Sequence, residues 1–236
     1  MNLKILQITD IEGYKPTIPD DILDGLDFAV ISGDISIGAK RVKRNAKHFQ
    51  SIRDAIPGDI PIYYIPGNRE YENVAHGFEG LPDNMHPIHN KIEEFKSDSD
   101  DTIFLVGFGG ALPGMFNNFV ADEDEVLESL EKLFEELAGM KSDGDYVMIV
   151  SHNPPKNTKL DDAKFGGHIG SESLVQIIKK YHPDLCVCGH VHESPGIEKI
   201  NDTICLNPGA SKHGNAGLII IDEKIEVDIV KIEAER

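Results

Sequence analysis

The chain has 236 residues, 40% of them hydrophobic and 27% charged, and a formal net charge of −18 at pH 7. That length buries a substantial core without disulfides, and no stretch approaches the roughly 18 consecutive apolar residues of a membrane-spanning helix. So acidic a balance disfavours a nucleic-acid partner, because phosphate backbones are met by clustered Lys and Arg.

The first apolar run, residues 3–9, alternates and stops at Asp10. It is short, lacks a basic lead-in and ends on an acid, unlike a signal peptide, so a cytoplasmic protein is expected. Residues 27–32 form a second run that stops at Gly33-Asp34, and residues 38–56 read as a helix. That helix carries the one short basic cluster, Lys40-Arg41-Val42-Lys43-Arg44, which reads as a solvated face. Residues 60–65 stop at Pro66-Gly67-Asn68, and residues 102–107 stop at a glycine-rich turn. In residues 123–138, Val126, Leu127, Leu130, Leu133, Phe134 and Leu137 recur at helical spacing, and Gly139 supplies a stop. Residues 146–150 end at Ser151-His152, residues 171–181 read as a helix, and residues 185–188 end at Gly189-His190. Short apolar runs punctuated by polar clusters read as buried strands, and their alternation with helices predicts an α/β fold.

The tail changes character. Residues 197–200, 203–206, 218–221 and 224–232 are strand-like with no helix among them, which predicts a second, more antiparallel sheet closing the fold. Without a repeat, linker or low-complexity stretch, residues 1–236 read as one domain. The three cysteines, Cys186, Cys188 and Cys205, are an odd set and read as small buried hydrophobes in a reducing compartment.

In open α/β sheets, chemistry collects at the carboxyl ends of strands. The residues there are Asp10, Glu12, Asp34, Asn68, His152, His190 and His192, all of metal-ligand types and mixing imidazole with oxygen donors. Gly33, Gly67 and Gly189 each precede one of them, where the chain must turn sharply.

The ordered blocks Asp10-Ile11-Glu12, Gly33-Asp34, Gly67-Asn68-Arg69-Glu70, Ser151-His152 and Gly189-His190-Val191-His192 resemble those of the calcineurin-like metallophosphoesterases. Asn207-Pro208-Gly209 is similar to the turn after the last strand pair in small prokaryotic members. The resemblance covers about residues 3–221. It implies a four-layer α/β/β/α sandwich, with two mixed sheets face to face and a dinuclear centre at one edge. One metal would take Asp10, Asp34 and His192, with Glu12 as a further ligand; the other would take Asp34, Asn68, His152 and His190. The implied reaction is hydroxide attack on phosphorus in a small phosphoester. Mn is the expected metal, with Fe, Zn or Ni as alternatives. A homo-oligomer stays open.

Two positions depart from the family pattern: Glu12 stands where the family has His, and Arg69 where many members have a phosphate-binding His. Two divalent ions against Asp10, Glu12, Asp34 and a hydroxide sum to zero charge, and Arg69 restores one positive charge beside the phosphate. That balance favours diesters or activated esters over simple monoesters. Arg69 and Asn68 are therefore candidate catalytic residues. Since Arg cannot act as an acid, the leaving group needs another donor, a metal-bound water or enough acidity to leave unaided; His168 and His213 are the candidate donors. Glu70 and Glu193 are read as acids that orient imidazoles, or as solvated acids. The competing reading pairs Glu12 with Arg69, loses Glu12 as a ligand and makes the chain a non-catalytic scaffold.

Overall fold

The computed structural model describes residues 3–37, 42–97, 102–114, 117–164 and 166–236. In chain order the first half comprises β1 (Leu3–Ile8), β2 (Lys15–Thr17), α1 (Asp20–Leu23), β3 (Phe28–Ser32), α2 (Val42–Arg53), β4 (Ile62–Ile65), β5 (Met85–Pro87), β6 (Lys91–Lys96) and β7 (Thr102–Phe108). The second half comprises α3 (Glu123–Leu137), β8 (Tyr146–Ser151), β9 (Asp162–Ala163), β10 (Gly167–His168), α4 (Glu172–Tyr181), β11 (Leu185–Val187), β12 (Gly196–Ile200), β13 (Thr203–Asn207), β14 (Asn215–Ile221), β15 (Ile225–Lys231) and β16 (Glu233–Glu235). The start of the helix expected at 38–56, and with it the whole basic run at 40–44, lies outside the described side chains.

Two six-stranded mixed sheets carry the fold, in the orders β15-β14-β1-β3-β4-β5 and β12-β13-β11-β8-β7-β6. Strands β1, β3 and β4 run parallel in the first sheet, and β7, β8 and β11 in the second. They are apolar on both faces because both faces are covered. Their inward residues, among them Ile5, Val30, Ile65, Leu105, Met148 and Val187, form the core between the sheets. Outside the first sheet, Ile31, Ile62 and Tyr64 pack against Phe49 and Ile52 of α2. Outside the second, Phe104, Ile149 and Cys186 pack against α3 and α4. The layers are therefore α/β/β/α, as the resemblance implied.

Local sequence sets the helix ends. Asp122 and Glu125 form a reciprocal capping box at the start of α3. Ser171 caps α4, which ends on His182 in the left-handed region at φ 49°. All three cysteines are buried and free.

The tail departs from expectation. Its four strands form no sheet of their own: the hairpin β12–β13 extends the second sheet and the hairpin β14–β15 extends the first. Each hairpin has one apolar side, and Leu206 and Ile219 both enter the shared core, so the chain buries most by crossing from one sheet to the other. Strand β6 was not foreseen; its sequence KIEEFK is too polar to read as buried, and it lies at the sheet edge with Phe95 against Phe28.

A buried histidine supports the loop after β4. The Nδ1 of His89 accepts the Gly109 amide at 2.9 Å, and the Gly110 amide donates to the Pro66 carbonyl at 2.8 Å. Burial, then the neighbouring His76, lowers the His89 pKa to about 4. The folded protein thus holds His89 neutral where the unfolded chain takes a proton, so stability is full above pH ~6.5 and falls as the pH drops towards 4. The expected loss is at most roughly 3 kcal/mol. Urea unfolding at pH 7 and pH 4.5 checks this: His89→Asn, which keeps an acceptor and does not titrate, should show a smaller acid loss than the wild type. An equal loss in both sinks the assignment.

Candidate metal centre

The parallel strands of both sheets end at one edge, and the loops after them carry the candidate ligands. Asp10 and Glu12 follow β1, Asp34 follows β3, Asn68 follows β4, His152 follows β8, and His190 and His192 follow β11. The loops after β1 and β3 are zipped together: the amides of Asp10, Glu12 and Gly13 donate to the carbonyls of Gly33, Asp34 and Ile35 at 3.0, 2.9 and 2.8 Å.

This backbone is strained. Asp10, Glu12, Asp34 and His190 take φ of 52, 46, 51 and 67°, a region costing a non-glycine residue about 1–2 kcal/mol. Such conformations persist where surrounding structure over-determines them, and they gather at functional sites. Gly33 turns with φ 101° as expected. Gly67 is required for a different reason: a Cβ there would lie 2.2 Å from Asp34 Oδ1 and 2.3 Å from the Asp34 nitrogen. It is close approach, rather than a positive φ, that demands glycine at this position.

Two sets of contacts emerge. His192 Nε2 lies 2.9 Å from Asp10 Oδ1. His152 Nε2 and His190 Nδ1 each lie 2.9 Å from Asn68 Oδ1, and His152 Nε2 is 3.6 Å from Asp34 Oδ1. Ligand atoms of Asp10, Asp34 and His152 all fall within 4.8 Å of one another.

The donor chemistry fits a cation. His152 Nδ1 donates to the Ser32 carbonyl at 2.7 Å, and burial lowers the pKa of this ring, so its Nε2 presents a bare lone pair. Asn68 Nδ2 donates to Asn117 Oδ1 at 2.9 Å, which turns the amide oxygen towards the histidines. Two acceptors therefore face each other at 2.9 Å, a contact that a positive ion beside them makes favourable. His190 is also held neutral, its pKa lowered to about 3 by burial and by His152.

The carboxylates point the same way. Burial, then the charges of Glu70 and Asp10, raises the Asp34 pKa. Burial also acts against the Asp10 carboxylate, but its hydrogen bonds with His192 and with the Thr9 hydroxyl hold it below the usual range. Buried negative charge on this scale calls for a compensating cation.

Arg69 and Glu12 meet. Arg69 Nε lies 3.1 Å from Glu12 Oε1 and 3.4 Å from Asp34 Oδ2, with its side chain 43% exposed over the cluster. Lys212, which sequence reading missed, reaches the same Glu12 oxygen at 2.6 Å. It is placed there by the turn after Asn207-Pro208-Gly209, whose Ser211 and Lys212 amides donate to the carbonyls of Thr9 and Asp10 at 2.8 and 3.3 Å. Asn117 was also missed, because nothing local marks it as the partner of Asn68.

His168 is not joined to the ligands by any contact among the described residues. Its Nδ1 binds Asp161 Oδ1 at 2.7 Å, and Asp161 also accepts the amides of Thr158 and Gly170, so His168 belongs to a loop staple. His213 is nearer, its ring 6.1 Å from that of His192. Glu70 and Glu193 contact no imidazole among the described residues: Glu70 accepts the Ser36 and Gly67 amides at 2.7 and 2.8 Å, and Glu193 accepts the Lys164 amide at 3.0 Å. A carboxylate beside tight turns meets backbone N–H groups first: the orienting role fails for both, and the exposed Glu193 fits the solvated alternative while the buried Glu70 does not.

The calcineurin-like phosphoesterase family model matches residues 3–194. The chain belongs to that family. The family performs metal-dependent phosphoester hydrolysis, and the Asp10–Asp34–His152 cluster meets its requirement for metal-ligating groups. The uncharacterized protein MJ1162 of Methanocaldococcus jannaschii is 29% identical over 215 residues, covering 89% of this chain and 90% of its own. TT1561 of Thermus thermophilus superposes with a TM-score of 0.67 at 16% identity, covering 98% of this chain and 99% of that one. A dimetal phosphatase from Danio rerio gives 0.57 at 12% identity, covering 97% and 98%. These two likenesses support the fold. No helix among the described residues is long and apolar enough to cross a membrane.

Proposed function

We propose that this chain is a single-domain, cytoplasmic hydrolase of small phosphodiesters or activated phosphoesters, built on a dinuclear metal centre. The division of the ligand contacts carries the reading: Asp10 with His192 on one side, Asn68 with His152 and His190 on the other, and Asp34 beside His152. Asp34 has two carboxylate oxygens, which suits it to serve both sides, while Asn68 adds an oxygen without adding charge. Two divalent ions held by these residues, with Mn favoured over Fe, Zn or Ni, would supply a hydroxide nucleophile and stabilise charge on phosphorus.

The protein's own groups do the rest. Every side-chain contact described for Glu12 runs to Oε1, which holds Arg69 and Lys212 and lies 3.8 Å from His192 Nε2, so Oε2 stays available to an ion. Arg69, half-exposed above Asp34, is placed to take a nonbridging phosphate oxygen with its fork. With three carboxylates in the centre, the single charge of a diester suits the site better than the double charge of a monoester. Arg69 cannot protonate a leaving group, so esters of acidic alcohols or phenols fit best.

The test is hydrolysis of bis(p-nitrophenyl) phosphate and p-nitrophenyl phosphate by chelated protein re-supplied with Mn²⁺, Fe²⁺, Zn²⁺ or Ni²⁺. Turnover should vanish on chelation and return with at least one ion, faster for the diester. The Glu12–Arg69 pair at 3.1 Å favours the scaffold as a second reading. Fully folded protein with no turnover under any ion, and metal content well below two per chain, decides for it.

A further inference from the structure

Beside the ligand cluster lies a cavity of about 370 Å³ lined by Glu12, Gly13, Tyr14, Ile37, Lys212 and Arg236. It shares Glu12 with the cluster, so it adjoins the place a reacting phosphate would take and is open to the rest of such a molecule. Its volume falls within the lower range of small-molecule sites. Three structural devices bring its walls together. The turn at Ser211–His213 hydrogen-bonds to the end of β1 and sets Lys212 against Glu12. The short pairing of β16 with β2, with Glu235 opposite Lys15, brings Arg236 alongside. Ile37, 43% exposed and one of three exposed large hydrophobics among the described residues, offers an apolar wall with Tyr14.

The charge of this wall runs against that of the molecule. A chain with a net charge of −18 has placed Lys212 and Arg236 in this cavity, with Arg69 on the other side of Glu12. Glu12 and Asp34, whose Oδ2 lies 3.4 Å from Arg69 Nε, offset two of these three cations. The surplus is one that a second anionic group on the ligand neutralises.

We infer that the cavity is a second anion subsite, and that its preferred ligand is a phosphoester whose other arm ends in a phosphate, phosphonate or carboxylate held by Lys212 and Arg236. Lys212 and Arg236 are then specificity-determining residues. They act on the non-reacting arm, and the inference rests on the phosphoesterase reading only in placing the first phosphate over the ligand cluster.

Binding can be measured apart from turnover, which keeps the two readings distinguishable. The probes are propane-1,3-bisphosphonate and propylphosphonate, titrated calorimetrically into the full chain with Mn²⁺ present and, separately, with chelator. The wild type should bind the bisphosphonate at least about tenfold more tightly than the monophosphonate, the worth of one charge-assisted contact. Lys212→Met and Arg236→Met should each bring that ratio towards one, and Lys212→Arg should retain most of it. Equal affinities in the wild type, no binding of either probe, or a ratio untouched by both Met variants overturns the subsite. Should the ratio behave as expected while no phosphoester is hydrolysed under any ion, the subsite stands and the hydrolase reading fails.

Discussion

Asp34→Asn should abolish metal-dependent turnover, by roughly 10³-fold, while leaving the metal-free protein at least as stable as the wild type. The two halves of this result have one cause. Asp34 sits buried between Asp10 and Glu70, and burial and those charges raise its pKa. Its Oδ1 accepts the Arg69 amide at 2.8 Å, and an Asn side chain keeps an oxygen at that place. The substitution therefore removes repulsion without removing the backbone contact, and unfolding in chelator should shift upward by on the order of 1 kcal/mol. The same removal takes away the carboxylate that, on the proposed reading, would serve both sides of the centre. Added Mn²⁺ should raise the melting temperature of the wild type and leave that of the variant unchanged. A variant that keeps turnover, or that unfolds much more readily in chelator, contradicts this account of Asp34.

Gly67→Ala tests the architecture rather than the chemistry, because it touches no ligand atom by replacement. The new methyl group would meet Asp34 Oδ1 at 2.2 Å and the Asp34 nitrogen at 2.3 Å; the nitrogen is backbone, and the oxygen is pinned by the Arg69 amide at 2.8 Å. Relief requires the loop after β4 to part from the loop after β3, which breaks the Arg69-to-Asp34 contact and withdraws Asn68 from His152 and His190. The expected cost is about 2–4 kcal/mol by urea unfolding, with turnover falling alongside. Wild-type stability together with wild-type turnover would falsify the claim that this approach holds the site together.

The seven candidate ligands were legible because each follows a short apolar run, and such runs declare themselves without knowledge of their neighbours. The helices at α3 and α4 were legible for a similar reason: the spacing of Leu130, Leu133, Phe134 and Leu137, and of Leu174, Ile177 and Ile178, is written locally. The tail misled because strand character says nothing about which sheet a strand joins. Leu206 and Ile219 are both apolar, and only the packed pair of sheets shows that they enter one core from opposite sides. His168 misled in a related way, since a histidine in a glycine-rich loop cannot reveal that Asp161 waits 2.7 Å away. Positive φ at Asp10, Glu12, Asp34 and His190 was equally hidden, because the sequence there shows residues that ordinarily avoid it.

By itself, then, the sequence determined the family, the layered α/β plan and the set of candidate ligands that the structure gathers at one edge, all of which depend on short-range patterns and on ordered blocks. Tertiary structure alone decided the surroundings of Glu12. Arg69 stands 57 positions further along the chain and Lys212 another 143 beyond it, yet both meet one oxygen of that carboxylate, at 3.1 and 2.6 Å. No local pattern encodes such a meeting. It follows from two sheets ending at a common edge, where loops far apart in the chain must share a few ångströms of space.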